Sequence, residues 1–306
     1  MSFCRPKPRP GCKRVSPTPV SGETKLLAVV GYPVVHSLSP AMHNASFAAT
    51  NQDYLYVPLD IAPERLFEAV RGISYAGFRG FNVTMPHKER ITGLMDELDA
   101  AAEVSGAVNT VVVSENGRHL AGLNTDGGGF VEAASEAGIS LSGRSVLVLG
   151  AGGAAAAVCA ALVGAGCLEV RITNRTPERA GALVARLLER FPEARVGFYP
   201  KEEMGSAVKG ADVIVNTTYL GMKDADELPL PHRLLGPEVA VCDVVYRRDA
   251  RTRLVQAALD AGCSVMEGSR MLLYQGVLAQ RTWTGVEPDV EAMSRALRKA
   301  GKPEAR

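Results

Sequence analysis

The chain has 306 residues, 34 basic and 33 acidic, and 46% of it is hydrophobic; this balance excludes a disordered chain and argues against nucleic acid as a partner. Single cores stop growing at roughly 250–300 residues, so two lobes are expected. The six cysteines, at 4, 12, 159, 167, 242 and 263, form no C-x-x-C pair and no Cys/His grouping of the zinc type, which predicts a reduced, cytoplasmic protein without a metal site.

The first 23 residues are rich in Pro, Lys and Arg, lack the apolar stretch of a secretory signal, and read as a flexible basic extension. From Thr24 onward, short β-branched runs alternate with amphipathic stretches, the pattern of a largely parallel sheet covered by helices. Leu26–Val30, Leu55–Val57, Phe78–Val83 and Val108–Val113 read as strands. A helix is expected after Ser39-Pro40, with the serine as cap and the proline at the first helical position. Glu115-Asn116-Gly117 reads as a hairpin turn.

A second series begins after Asp126: a helix, the strand Val146–Leu149, a helix, the strand Glu169–Thr173, a helix, then strands Val213–Asn216 and Val239–Val244. Its outline is that of a nucleotide-binding lobe. Ser145–Leu168 carries no charge and has the length of a membrane span, but it is dominated by Gly and Ala and divides into a Val/Leu run, a glycine turn and an alanine helix. No membrane segment is expected. From about Gly268 come two helical stretches without further sheet, expected to pack back on the first lobe. No internal repeat is present.

Gly150-Ala151-Gly152-Gly153-Ala154-Ala155 follows a strand and opens a helix, so it fits G-x-G-x-x-A, with glycines where the chain must turn and approach a pyrophosphate. Free N–H groups at the helix start favour the phosphates. The next strand ends in Asn174-Arg175-Thr176, without the carboxylate that would hold a ribose 2′-hydroxyl. Arg175 and Arg179 instead suit a 2′-phosphate, which points to NADP; the alternative is that both are solvated charges at a helix start.

Asn82-Val83-Thr84-Met85-Pro86-His87-Lys88 lies where a strand end runs into a turn, and Lys88 is a candidate acid for a forming alkoxide. Asp126, in Asn124-Thr125-Asp126-Gly127 at the junction between the lobes, is its candidate partner, with capping of the following helix as the alternative. His36-Ser37-Leu38-Ser39-Pro40 sets two hydroxyls beside a helix N-terminus, suited to a carboxylate, or simply to capping by Ser39.

Ser37-x-Ser39, Asn82-Val-Thr84-x-Pro-x-Lys88, Ala107-Val108-Asn109-Thr110, Asn124-Thr125-Asp126-Gly127, Gly150-Ala-Gly-Gly-Ala154, Asn174-Arg175-Thr176 and Met271-Leu272-x-x-Gln275 occur in the order found in the shikimate dehydrogenase family, which the chain resembles over nearly everything after the extension. The resemblance implies a two-lobed α/β fold: an N-terminal α/β substrate-binding catalytic lobe with a parallel-rich sheet, residues 24–125 with 268–306, and a Rossmann-type NADP-binding lobe, 126–267. It implies NADPH-dependent reduction of 3-dehydroshikimate to shikimate, in chorismate and aromatic amino-acid biosynthesis. Lys88 becomes the general acid/base and Asp126 its partner, Ser37, Ser39 and Tyr246 the carboxylate site, and Thr84, Asn109 and Gln275 the contacts to ring hydroxyls and ketone. Gly150, Ala151, Gly152, Gly153, Ala154, Asn174, Arg175, Thr176 and Arg179 are assigned to NADP, with Val244 and Gly268 near the nicotinamide.

Two features depart from the family pattern. Gly268-Ser269-Arg270-Met271 has Arg270 where a second glycine is usual, which predicts a bulky cation close to the nicotinamide, and Thr217-Thr218-Tyr219-Leu220-Gly221 replaces a loop of small residues, so Tyr219 is expected to reshape the cleft. The competing readings are a quinate/shikimate dehydrogenase of broader specificity and a non-catalytic ligand sensor on the same scaffold. Paired serines and the arginine-bearing loop favour shikimate and NADP; retention of both Lys88 and Asp126 favours an enzyme. The expected partner is a small molecule, with monomer and homodimer both open.

Overall fold

The structure, a computed structural model, describes residues 20–223, 227–248 and 250–301; the basic extension up to residue 19, with Cys4 and Cys12, lies outside the described residues. A first six-stranded sheet contains β1 (Lys25–Gly31), β2 (Tyr54–Asp60), β3 (Phe78–Val83), β4 (Glu97–Leu98), β5 (Thr110–Val113) and β6 (Leu120–Leu123), in the order β2-β1-β3-β5-β6-β4. Its helices are α1 (Ser39–Ala49), α2 (Leu66–Tyr75) and α3 (Ala100–Ser105). β1 runs parallel to β2 and β3, because α1 and α2 are crossover connections, whereas β5 is antiparallel to both β3 and β6. The β5–β6 reversal is made at the expected Glu115-Asn116-Gly117 turn, with Gly117 at φ +68°.

Boundaries shift for local reasons. β2 continues through Pro58 to Asp60, beyond the expected Val57, because it is an edge strand where a missing N–H leaves no ladder bond unmade. β5 starts at Thr110 rather than Val108, since the N–H groups of Val108 and Asn109 bond to the carbonyls of Lys88 and Leu123 across the site. α1 corrects the expected cap: Leu38 occupies the capping position without a side-chain bond, Ser39 is already helical, and the Ser37 Oγ accepts from the Ser39 N–H at 3.3 Å.

The second sheet contains β7 (Ser145–Leu149), β8 (Glu169–Thr173), β9 (Val196–Phe198), β10 (Val213–Asn216), β11 (Ala240–Asp243) and β12 (Ser264–Met266), all parallel, in the order β12-β11-β10-β7-β8-β9. Around it lie α4 (Asp126–Glu136), α5 (Gly153–Gly164), α6 (Pro177–Arg190), α7 (Met204–Val208) and α8 (Arg253–Asp260). Every residue of β7 is buried, as expected for a central parallel strand covered on both faces. Strand order runs outward in opposite directions from β7 and β10, so a crevice opens beyond their carboxyl ends, the position where open α/β sheets bind ligands. The uncharged stretch resolves into β7, a glycine turn and α5, and no helix among the described residues is long and apolar enough to cross a membrane.

The chain ends in α9 (Gly268–Thr284) and α10 (Val290–Ala300), which return to the first half and pack on α1. Trp283 of α9 donates its Nε1–H to the Val111 carbonyl at 2.9 Å, and a Cβ at Gly80 would fall 2.3 Å from that nitrogen. α4 is the seam between the halves. A Cβ at Gly127 would lie 2.5 Å from the Ala157 carbonyl oxygen of α5, and one at Gly129 would lie 2.5 Å from the Gln275 backbone nitrogen of α9. Glycine is a poor helix former, yet here it lets three helix backbones approach closely.

Gly129→Ala should therefore be destabilising by about 1–3 kcal/mol, because the methyl meets backbone that has nowhere to move. Urea denaturation checks this; an unchanged midpoint would mean that α4 and α9 separate at no cost.

Candidate active site

Lys88 leaves the end of β3 through the turn Thr84–His87, which is closed by the His87 N–H on the Thr84 carbonyl at 3.0 Å. The buried His87 ring meets the Ile61 carbonyl through Nε2 at 2.7 Å and anchors that turn. The Lys88 Nζ then lies 2.5 Å from Oδ2 of Asp126, with the lysine side chain 25% exposed and the aspartate side chain 8%. Asp126 is the first residue of α4 and Thr125 the capping position, with no side-chain cap, so the capping alternative for Asp126 is not realised. Its second oxygen accepts from Asn109 Nδ2 at 2.8 Å, and its N–H donates to Asn124 Oδ1 at 3.0 Å.

Asn109 is the junction of this cluster. Its Oδ1 accepts from the Thr125 N–H at 2.8 Å, and its Nδ2 also reaches Thr125 Oγ1 and, at 3.5 Å, Gln275 Oε1 on α9. Lys88, Asp126, Asn109 and Gln275 are thus brought together from four chain segments. A buried layer beneath them was not assigned from sequence: Tyr56 donates to Asn82 Oδ1 at 2.7 Å, and Asn82 Nδ2 donates to the Asn109 carbonyl and to Thr110 Oγ1. Burial pushes the Tyr56 hydroxyl well above its ordinary range, so it stays a donor. Asn82 stood inside a recognised motif; Tyr56, in an apolar strand, carried no signal.

A cleft of ≈ 570 Å³ joins Lys88 and Thr84 on one side to Gly153, Ala154, Val244 and Tyr246 on the other. Burial, partly opposed by Arg248, raises the Tyr246 hydroxyl above its ordinary value and keeps it protonated. His36 lines the cleft, while Ser37, half-buried, and Ser39, buried, are not among its lining residues.

The glycine turn fits a dinucleotide. Gly150 has φ +120°, and a Cβ there would sit 2.5 Å from Thr217 Oγ1; Gly152 faces open space, with nothing within 4 Å of where its Cβ would be. The approach to the turn is therefore unobstructed at Gly152, just ahead of the free N–H groups at the start of α5, whereas a Cβ at Gly153 would lie 3.3 Å from that of Ala107. Gly268 must be glycine for a different reason: its Cβ would lie 2.5 Å from the Val245 carbonyl oxygen, where α9 begins against the loop after β11. Asn174 Nδ2 bonds the Thr176 carbonyl at 2.9 Å and shapes the turn into α6; Arg175, Thr176 and Arg179 are exposed, and Arg179 borders a second cavity with Ala151, Gly152 and Gly153.

One departure from the family pattern is corrected. Arg270 does not stand beside the cleft: it makes a two-pronged ion pair with Glu136 at the far end of α4, donates to Ser294 Oγ at 2.9 Å, and lies over the Tyr274 ring. Helix periodicity turns it away, because α9 presents Gln275 and Arg270 in different directions. Tyr219 is 68% exposed and lines the cleft. Among the described residues no group of three His, Cys, Asp or Glu could hold a metal.

Sequence reasoning also passed over Asp243. It is fully buried at the end of β11, accepting from Asn216 Nδ2 at 2.9 Å, the Val245 N–H at 3.1 Å and Thr252 Oγ1 at 2.5 Å. Asn216 in turn accepts from the Thr218 N–H and hydroxyl and donates to the Leu220 carbonyl. One carboxylate thereby ties together the two loops, after β10 and after β11, that line the cleft. Burial lifts Asp243 from 3.8 to about 6, against the pull of its hydrogen bonds.

Three family models match successive parts of the chain. The family described as "Shikimate dehydrogenase substrate binding domain" matches residues 29–111, "Shikimate / quinate 5-dehydrogenase" matches 132–221, and "Shikimate 5'-dehydrogenase C-terminal domain" matches 268–298. A shikimate dehydrogenase (NADP(+)) of Rubrobacter xylanophilus is 58% identical over 91% of this chain and 97% of its own. A crystal structure of a shikimate dehydrogenase in complex with NADP+ superposes with a TM-score of 0.86 at 34% identity, covering 94% of this chain and 99% of that one. The Thermus thermophilus shikimate 5-dehydrogenase in complex with NADP(H) and shikimate gives 0.80 at 41% identity, covering 90% and 99%.

The raised Asp243 group sets a pH dependence. Between pH 3.8 and about 6 the folded chain holds a proton that the unfolded chain releases, so this contribution to stability is complete below 3.8 and lost as pH rises through about 6. Asp243→Asn cannot titrate and should flatten the unfolding free energy across that window by on the order of 2–3 kcal/mol. Equal slopes in the two proteins, measured by denaturation at pH 4 to 7, would refute it.

Proposed function

The chain belongs to the shikimate dehydrogenase family, and from that premise we infer that it reduces 3-dehydroshikimate to shikimate with NADPH. The observation that carries this reading is the 2.5 Å contact between Lys88 and Asp126 at a cleft whose other wall is the glycine turn. Residues 24–125 with 268–306 serve as the substrate-binding catalytic lobe and 126–267 as the NADP-binding lobe.

NADPH, when bound, supplies the hydride. Gly150, Ala151, Gly152, Gly153 and Ala154 would hold its pyrophosphate, Asn174, Arg175, Thr176 and Arg179 its 2′-phosphate, and Val244 and Gly268 its nicotinamide end. Ser37, Ser39 and the protonated Tyr246 bind the substrate carboxylate as donors. Thr84, Asn109 and Gln275 orient the ring by its hydroxyls and ketone. Lys88 gives its Nζ proton to the ketone oxygen as that oxygen becomes an alkoxide, and Asp126 holds the ammonium in place and accepts from a ring hydroxyl. Asn109 fixes Asp126 from its far side, so the carboxylate does not swing to solvent.

The partner in this reading is a small molecule, without nucleic acid or membrane, and both monomer and homodimer are compatible with it. The described cysteines, 159, 167, 242 and 263, are unpaired, in keeping with a reducing cytoplasm.

Steady-state absorbance assays with shikimate and quinate, each with NADP+ and NAD+, test the assignment. Shikimate with NADP+ is expected to give the highest kcat/KM, and an absence of shikimate-dependent NADPH formation would overturn it. Lys88→Ala should lose about 10²–10⁴-fold in kcat with NADP+ affinity little changed; retention of most of the turnover would remove Lys88 from the chemistry.

A further inference from the structure

The second cavity, ≈ 370 Å³, lies on the α6 side of the glycine turn. Gly152 and Gly153 form one wall, and Ser105 and Gly106 at the end of α3 form another, so it spans the two halves of the molecule. The third wall is one face of α6, where Arg179, Ala182, Leu183 and Arg186 recur at i, i+3, i+4 and i+7. Arg186 reaches across: its Nη1 lies 2.7 Å from where a Cβ on Gly106 would stand. Gly106 has φ +64°, which a side chain rarely adopts, so the position is doubly closed to larger residues.

The side chains of Arg179 and Arg186 make no hydrogen bond or ion pair with any of the described residues. Other arginines do: Arg171 is forked onto Glu169 and two carbonyls, and Arg144, Arg270 and Arg281 each hold a carboxylate. The cavity has one carboxylate, Glu89, whose Oε1 stands 3.8 Å from the Cβ position of Gly153. Two guanidinium groups against one carboxylate leave it cationic. Seven residues separate the arginines, about 10 Å along the helix axis, far enough for them to serve separate phosphoryl groups.

We propose that this cavity is a phosphoryl-binding extension of the cofactor site, in which Arg186 joins Arg179 as a ligand of a phosphorylated adenine dinucleotide and clasps it from the seam between the halves. The proposal rests on the reading of the glycine turn as an NADP site. A guanidinium offers a planar fork to phosphate oxygens, and with no acceptor to give up among the described residues it loses only water on binding.

The test uses the full chain and three probes, NADP+, adenosine 2′,5′-bisphosphate and AMP, titrated by calorimetry into wild type, Arg186→Gln and Arg186→Lys. Arg186→Gln should weaken NADP+ about 10-fold, the loss of one charge-assisted bond. Arg186→Lys should recover part of that loss, and 0.5 M salt should shrink the difference. Weakening of the bisphosphate but not AMP assigns Arg186 to the 2′-phosphate, and weakening of both assigns it to the pyrophosphate; either supports the proposal. Unchanged affinity for all three probes in a folded Arg186→Gln protein overturns it and leaves the proposed function intact. A wild type that fails to bind NADP+ overturns both.

Discussion

The approach of α4 to α5 and α9 is the constraint from which the site follows. Asp126 opens α4, and its carboxylate faces Lys88 only because Gly127 and Gly129 let the helix sink against the Ala157 carbonyl on one side and the Gln275 backbone on the other. The same approach brings Gln275 to within 3.5 Å of Asn109. A helix one side chain further out would carry the carboxylate away from the ammonium. The glycines lower the helix's own propensity, and the tertiary packing of three backbones offsets that loss.

A partly buried ion pair is not stabilising by itself, since both charges lose hydration. Here the remaining acceptor capacity of Asp126 is used by Asn109, and Lys88 keeps a quarter of its surface open to the cleft. The pair is thus held in orientation while its proton stays reachable from the substrate side. Beneath it, the Tyr56–Asn82–Thr110 layer satisfies each polar group in turn, which keeps Asn109 in one rotamer. Across the cleft, Asp243 acts similarly on the two loops of the second sheet, so both walls are held by buried polar hubs rather than by the exposed side chains they present.

Much of the plan was legible. The parallel strands of the second sheet announced themselves by β-branched runs between helices, and the glycine turn by its place between β7 and α5. Short strands escaped: β6 reads Leu-Ala-Gly-Leu and β9 Val-Gly-Phe, too brief for a period to emerge. Tyr56 and Asp243 escaped because each lies inside an apolar strand, where a single polar residue looks like any other until its partners, 26 and 27 residues away, are brought beside it. Arg270 was misplaced for the converse reason: adjacency in sequence to Gly268 says nothing of the direction in which a helical side chain leaves the axis.

The amino-acid sequence alone determined the chemistry on offer: an ammonium, a carboxylate, paired hydroxyls, a glycine turn and arginines after the second nucleotide-lobe strand, because residue type and local spacing are properties of the chain itself. Only the tertiary structure decided which of these groups meet. Contacts such as Lys88 with Asp126, Arg270 with Glu136 and Arg186 with the end of α3 depend on how closely helices pack and which face they turn, and that is set by steric fit between segments remote in the chain.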